Sequence, residues 1–347
     1  MRLGRSMTLP SSALGSAFGA LTRRSLVRQL CGAALAPALG AVMAGAAAET
    51  VSEFIVPYPP GGPGDVAARL MLPFLRQSME RTIIVENVPG VGGALAVQRL
   101  LAAAPNGTHL LLGTPNEIIL APLAFAAVKY QPDQLRLAGM VNRSPLVLVS
   151  GPQQSARTLA ELLDAARRPG IREMSYGTSG VGSLFHLVSA DFSARTGVPM
   201  LHVPYKGTAP MIQDLIGGQI DLAFVPTGGS VLDLIAGGKL RVFAVTSAER
   251  YAGAPTVPTM SEAIGLAPFD YELWGGVFLR REVGADLARP LNAAINQALR
   301  DPDYKRQVEA LGGTVGAVFS LDEAERFLAA ETVKYRRIAK AIKLDPQ

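Results

Sequence analysis

Hydrophobic positions in this chain fall into two patterns. One is a short apolar run that stops at Gly, Pro or small polar residues; the other is a longer segment whose apolar residues recur every three or four positions. Phe54-Ile55-Val56 belongs to the first kind and reads as a short strand buried on both faces. It stops at Pro57-Tyr58-Pro59-Pro60-Gly61-Gly62, after which Val66, Leu70 and Phe74 line one face of a helix starting near 63–65.

The same alternation runs on through the chain. Apolar runs at 82–86, 108–113, 145–150, 174–176, 202–205, 220–225 and 240–245 predict strands, and periodic segments at 94–104, 159–167, 184–192, 207–216 and 228–236 predict helices between them. A short helix or turn at 261–267 precedes an apolar segment at 271–279 that carries Trp274. Helices at 285–299, 304–311 and 322–343 complete the pattern, the last amphipathic through Ala324, Phe327, Leu328 and Val333, and all three are expected to cover the first sheet. Strands that alternate with helices predict an α/β fold, mainly parallel sheets with helices on their faces.

The first 48 residues follow neither pattern. They hold Arg2, Arg5, Arg23, Arg24 and Arg28, no acidic residue, and an Ala/Leu/Gly/Val run that ends in Ala46-Ala47-Ala48, so they read as an export signal cleaved after about Ala48. The pair Arg23-Arg24 resembles a twin-arginine signal, with the ordinary secretory route as the alternative. Removing this leader changes the charge picture, because the chain's 33 basic residues exceed its 28 acidic ones by the five leader arginines. The remaining 299 residues are formally neutral, which argues against nucleic acid as a partner. Cys31 lies in the leader, so the mature chain has no thiol for catalysis or disulfides. Its length suits two domains with sizeable cores, and no later apolar run approaches the ~20 residues of a membrane span.

Candidate chemistry sits where strands end. A strand that feeds a helix through glycines aims bare N–H groups and the positive helix end at one space, a place for an anion. The turn at 57–62 has this form, and Met174-Ser175-Tyr176 followed by Gly177-Thr178-Ser179-Gly180-Val181-Gly182-Ser183 repeats it. Since ligands of open parallel sheets sit at the carboxyl ends of strands, 178–183, 205–207 and 226–229 are expected to share one rim.

Other motifs are incomplete. Gly90-Val91-Gly92-Gly93 lacks the third glycine of a dinucleotide fingerprint, since that position is Leu95. Gly177-Thr178-Ser179-Gly180 fails as a nucleophile elbow, since position 181 is valine. His109, His186 and His202 form no zinc-ligand spacing, so neither a metal nor a cofactor is expected.

Taken in order, Val56 to Gly62 with Asp65, Glu86-Asn87-Val88-Pro89-Gly90-Val91-Gly92-Gly93 and Ala104-Pro105-Asn106-Gly107 resemble the Bug-type solute-binding proteins of tripartite tricarboxylate transporters. So do Ser179 to Ser183 with His186-Leu187, and His202-Val203-Pro204-Tyr205-Lys206-Gly207 with Ala209-Pro210. The resemblance covers essentially the whole mature chain. It implies a two-lobed periplasmic binding protein of type II-like fold, with two crossing strands as hinge, near 147–150 and 271–275. Domain 1 would span 49–148 and 273–347, and domain 2 would span 149–272. A small organic carboxylate would lie in the cleft, and the partners would be the membrane subunits of a tripartite tricarboxylate transporter, the binding protein itself being a monomer without enzyme activity.

By similarity, the first jaw comprises Tyr58, Pro60, Gly61, Gly62 and Asp65, with Thr114 and Asn116 nearby. The second comprises Thr178, Ser179, Gly180, Gly182, Ser183 and His186, with Tyr205 and Thr227 along the rim. Backbone donors would hold the carboxylate, assisted by the hydroxyls of Thr178, Ser179 and Ser183. Asp65 either touches ligand or caps the first helix, His186 faces the rim or the core, and Lys206 meets an anion, the membrane partner or only solvent. Two stretches depart from the family: Val225-Pro226-Thr227 replaces an acidic residue and asparagine, and Thr114-Pro115-Asn116-Glu117 replaces a hydroxyl- and His-containing segment. A sensor that signals to another protein, and an exported α/β enzyme, are the alternatives.

Overall fold

The computed structural model describes residues 51–228, 230–344 and 346; the expected export signal, and Gly229 of the rim, lie outside the described residues. The first part of the described chain runs β1 (Ser52–Val56), α1 (Pro63–Met79), β2 (Ile83–Asn87), α2 (Ala94–Ala102), β3 (His109–Gly113), α3 (Ala121–Ala124) and β4 (Leu135–Ser150). It continues with α4 (Leu159–Ala166), β5 (Met174–Thr178), α5 (Leu184–Thr196), β6 (Met200–Pro204), α6 (Thr208–Ile216), β7 (Leu222–Pro226), α7 (Val231–Ala236) and β8 (Arg241–Val245). It closes with α8 (Met260–Ile264), β9 (Glu272–Arg280), α9 (Ala285–Arg300), α10 (Pro302–Ala310), β10 (Thr314–Val315) and α11 (Leu321–Ala341).

The strands follow one path, β2-β1-β3-β9-β4-β7-β5-β6, with β8 and β10 also paired to β4. β1 pairs in parallel with β2 and β3, and β5 pairs in parallel with β6 and β7. β9 runs antiparallel between β3 and β4. The two halves are joined by β4: from Leu135 to Pro145 it pairs with β9, and from Leu146 to Ser150 it pairs with β7 and β8. This is an α/β fold of two lobes with sheets flanked by helices; of the two strands expected to cross, β4 runs through both sheets, while β9 pairs only with β3 and the first half of β4. The chain changes sheet at Pro145–Leu146, just ahead of the stretch expected as the hinge.

The apolar run at 145–150 is thus only the second half of a 16-residue strand. The first half is interrupted by Arg136, Gly139, Asn142, Arg143 and Ser144, so periodicity does not reveal it; its long pairing with β9 creates it. A second difference lies in α1. Val66, Leu70 and Phe74 are only half-buried, while Ala67, Ala68, Met71, Leu72 and Leu75 face the core. Two adjacent apolar stripes satisfy the same spacing, and packing against the sheet and α9 selects the second.

One core joins β1, β3 and α1 to α9 and α10, and another lies between β4, β7 and α6. The largest core is continuous from Ile55 and Leu111 to Phe192, Trp274 and Tyr335, and so runs beneath both lobes. Trp274 is buried in it and donates its indole N–H to Glu331 of α11 at 2.8 Å. α11 packs on β4 and also reaches α5, so it braces both halves rather than only the first sheet. Among the described residues no helix is long and apolar enough to cross a membrane.

Candidate functional site

The first jaw is the turn from β1 into α1. Pro63 opens the helix and Gly62 precedes it with no side chain capping the exposed amides, the arrangement that leaves donors for an external acceptor. Asp65 holds this turn from beneath. One carboxylate oxygen accepts the Gly61 amide at 3.0 Å and Arg69 Nε at 2.8 Å, and the other accepts the second Arg69 nitrogen and Asn87 Nδ2, each at 3.0 Å. Asn87 also donates to the Tyr58 carbonyl at 2.9 Å. The Arg69 bond holds the Asp65 carboxyl down to about 2. With all four bonds internal and the side chain buried, Asp65 builds the loop.

Beside it, β3 ends at Gly113 and a single π-helical turn over Asn116–Leu120 leads into α3. Glu117 points inward and is fully buried. Its Oε2 accepts the Tyr58 hydroxyl and the Thr114 hydroxyl, both at 2.9 Å, and its Oε1 accepts the Thr114 amide at 2.5 Å. The two hydroxyls are also 3.0 Å from each other. Burial raises the Glu117 carboxyl to about 7 against the opposing pull of these bonds, and burial followed by the Glu117 charge pushes the Tyr58 hydroxyl far up.

The second jaw follows β5. Ser183 caps α5 by accepting the His186 amide at 3.3 Å, and its hydroxyl donates to the Gly180 carbonyl at 2.8 Å. The Gly182 amide donates to His186 Nδ1 at 3.1 Å, so that nitrogen carries no proton. Thr178 is fully buried, its hydroxyl 2.7 Å from His202 Nε2 and 3.2 Å from the Gly180 carbonyl. His186, His202 and Tyr176 form a stack beneath the loop, with ring centroids 4.1 Å and 5.1 Å apart. Burial, then the neighbouring His186, lowers His202 to about 4, and burial lowers His186 in the same direction.

The jaws touch. The Leu184 amide, at the first residue of α5, donates to Asn116 Oδ1 at 3.0 Å. Gly182 packs on Ala124 so closely that a Cβ there would lie 2.0 Å from the alanine methyl, and its φ of +74° independently favours glycine.

The fold therefore brings together Tyr58, Thr114, Asn116, Gly180, Gly182 and Ser183, with Pro60, Gly61, Gly62 and Ser179 at the accessible loop surfaces. The hydroxyls of Thr178 and Ser183 bond their own loop, while Ser179 is half-buried at its surface. Tyr205 donates its amide to the Thr178 carbonyl at 2.9 Å, but its hydroxyl turns to Asp214 on α6 at 2.8 Å. Thr227 is fully buried where β4 changes sheet, bonded to Ser144 Oγ at 2.9 Å and to the Gly312 carbonyl at 2.8 Å. Lys206 is exposed. Sequence reasoning passed over Glu117, whose signal is one acid directly ahead of the apolar run Ile118-Ile119-Leu120, and Asn87, a polar residue at the end of a strand.

Residues 67–344 match the family model described as the tripartite tricarboxylate transporter family receptor, TctC. Protein BugT of Bordetella pertussis is 32% identical over 295 residues, which cover 83% of this chain and 88% of BugT. The fold is similar to that of R. palustris Rpa4515 with adipate, with a TM-score of 0.75, 27% identity, and 86% of this chain and 99% of that one covered. It is also similar to MatC of Rhodopseudomonas palustris with bound malate, with a TM-score of 0.71, 26% identity, and 83% and 98% covered.

Proposed function

The chain belongs to the TctC family of tripartite tricarboxylate transporter receptors, which includes the Bug proteins, and from that we propose that it captures a small organic carboxylate between its jaws. It then delivers that acid to the membrane subunits of a tripartite tricarboxylate-type transporter, acting in the periplasm as a monomer, without catalysis. Residues 49–148 with 273–347 form one closing lobe and 149–272 the other. The observation that carries this reading is the bond from the Leu184 amide to Asn116 Oδ1: the start of α5 meets an oxygen acceptor offered by the opposite lobe. A carboxylate oxygen is a stronger acceptor for such an amide than a carboxamide oxygen, because it is charged and the helix end is positive. The uncapped start of α1 supplies donors from the other side. That two proteins of similar fold hold adipate and malate supports the same ligand class.

A thermal-shift screen of the purified protein against adipate, malate, other dicarboxylates, tricarboxylates, amino acids and aromatic acids tests the reading. An acid present at ~100 times its dissociation constant stabilises by about 2.7 kcal/mol. A screen in which no carboxylate raises Tm overturns it, and saturable turnover of an ester or a nicotinamide cofactor would point to an enzyme instead.

A further inference from the structure

We propose that Glu117 is a proton-carrying positioning residue of the first jaw, and that this protein takes up a proton there as it captures a carboxylate. The proposal rests on the carboxylate reading above and adds a linkage to it.

The geometry asks for the proton. Tyr58 Oη, Thr114 Oγ1 and Glu117 Oε2 form a triangle with sides of 2.9, 2.9 and 3.0 Å, so three hydrogen bonds need three protons. The two hydroxyls supply two. With Glu117 ionised, one side of the triangle joins two oxygens with no hydrogen between them; with Glu117 protonated on Oε2, every side is a hydrogen bond around a closed ring. Oε1 then remains the acceptor of the Thr114 amide.

No cation offers another solution. The carboxyl is fully buried, and none of the ion pairs among the described residues involves it. The groups that face it are Tyr58 and Thr114 from the ends of β1 and β3, the Tyr130 hydroxyl, which donates to the Glu117 carbonyl, and Gly93 from the turn before α2, which brings no side chain. Charges on the elements around the jaw are matched elsewhere: Asp65 of α1 by Arg69, and Glu331 of α11 by Lys334 and Trp274. Across the cleft, His186 is held neutral by the Gly182 amide on its Nδ1.

Tyr58 links this ring to the accessible turn at 59–62, and Asn116, next in sequence to Glu117, touches the second jaw. An anion held between the jaws therefore lies over a buried acid, and two carboxylates sharing a low-dielectric site do not both stay ionised. The ligand is kept charged by the amides that hold it, so Glu117 is the group that takes the proton from solvent.

Isothermal titration of the purified protein with adipate, malate and any other acid positive in the thermal screen tests this, in two buffers of different ionisation enthalpy between about pH 6 and pH 8. We expect heats that differ between the buffers, reporting proton uptake, and affinity that weakens by up to about tenfold per pH unit above the Glu117 titration. Glu117→Gln, with its carbonyl oxygen on the Thr114 amide, puts an NH2 donor in the ring and cannot titrate, so its binding becomes independent of pH and of buffer. Glu117→Ala breaks the ring and binds more weakly at every pH. Wild-type binding that is flat with pH and buffer overturns the proposal but leaves the carboxylate reading standing, and so does a pH slope that persists in Glu117→Gln. If no acid binds at any pH, both fall. Should Glu117→Gln fail to fold, the buffer comparison on the wild-type protein decides alone.

Discussion

Asp65 and Glu117 are two buried carboxyls in one jaw, and their partners drive them in opposite directions. Asp65 meets a guanidinium and is held down to about 2; Glu117 meets only hydroxyls and an amide, and burial lifts it to about 7. The direction has a consequence for stability. An acid whose titration is raised by folding binds its proton more tightly in the folded state, so its contribution is complete below the ordinary value of 4.5 and is lost as pH rises through about 7. We therefore expect the protein to lose on the order of 2 to 3 kcal/mol between those limits from this residue. Denaturant melts at several pH values should show Glu117→Gln without that loss, and parallel pH profiles for the two proteins would contradict the account. The pattern of residue types points to a polar jaw here. Which carboxyl is charged depends on the neighbours each one finds.

At the scale of elements, the jaws are turns held by the structure beneath them. The loop before α5 is fastened by Ser183, by the Gly182 amide on His186 and by Thr178 beside His202, so most of the side chains expected to bind a ligand instead hold the backbone in place. The amides of Gly180, Gly182 and Leu184 already have acceptors, at Thr178 Oγ1, His186 Nδ1 and Asn116 Oδ1, so an anion that binds them displaces those partners. Gly182 is the sensitive position. A methyl there meets the Ala124 methyl and needs an unfavourable φ, a combination of overpacking and strain that costs about 1 to 3 kcal/mol. Gly182→Ala should therefore weaken carboxylate binding by about tenfold or more, with helical circular dichroism unchanged. Equal affinity in titration calorimetry would show that the jaws need not approach so closely.

For the molecule as a whole, the two lobes are joined by a strand that changes sheets at Pro145–Leu146, by the continuous core beneath the cleft, and by the contact between the jaws. If the lobes part about β4 as proposed, the core and β4 stay intact and the Asn116 contact is lost. Removing that side chain should shift the population towards open forms, so Asn116→Ala without added acid should scatter X-rays with a larger radius of gyration than the wild-type protein. A saturating carboxylate should restore the smaller value, because it bridges the same amides. Identical scattering from the two proteins would assign closure to the core contacts alone.

Much of this is written in the order of residues. Short apolar runs that end in glycine and proline, followed by periodic segments, specify strands, helices and their alternation, because burial on two faces or on one stripe needs those spacings. The glycine turns at 59–62 and 179–183 announce the jaws, since few other residues let the backbone turn so tightly ahead of a helix. Other features depend on contacts between distant segments. The first half of β4 forms because β9 pairs with it, although its own residues mix Arg, Gly and Asn. Thr227 stands at the end of a strand as a site residue would, yet the turn at Gly312 covers it and takes its hydroxyl. Glu117 becomes a proton holder because Tyr58, 59 residues earlier, lies on it and no cation among the described residues pairs with it. Periodicity reports which face of an element is buried; only the packed chain decides what that face meets, and the partner sets charge, protonation and access.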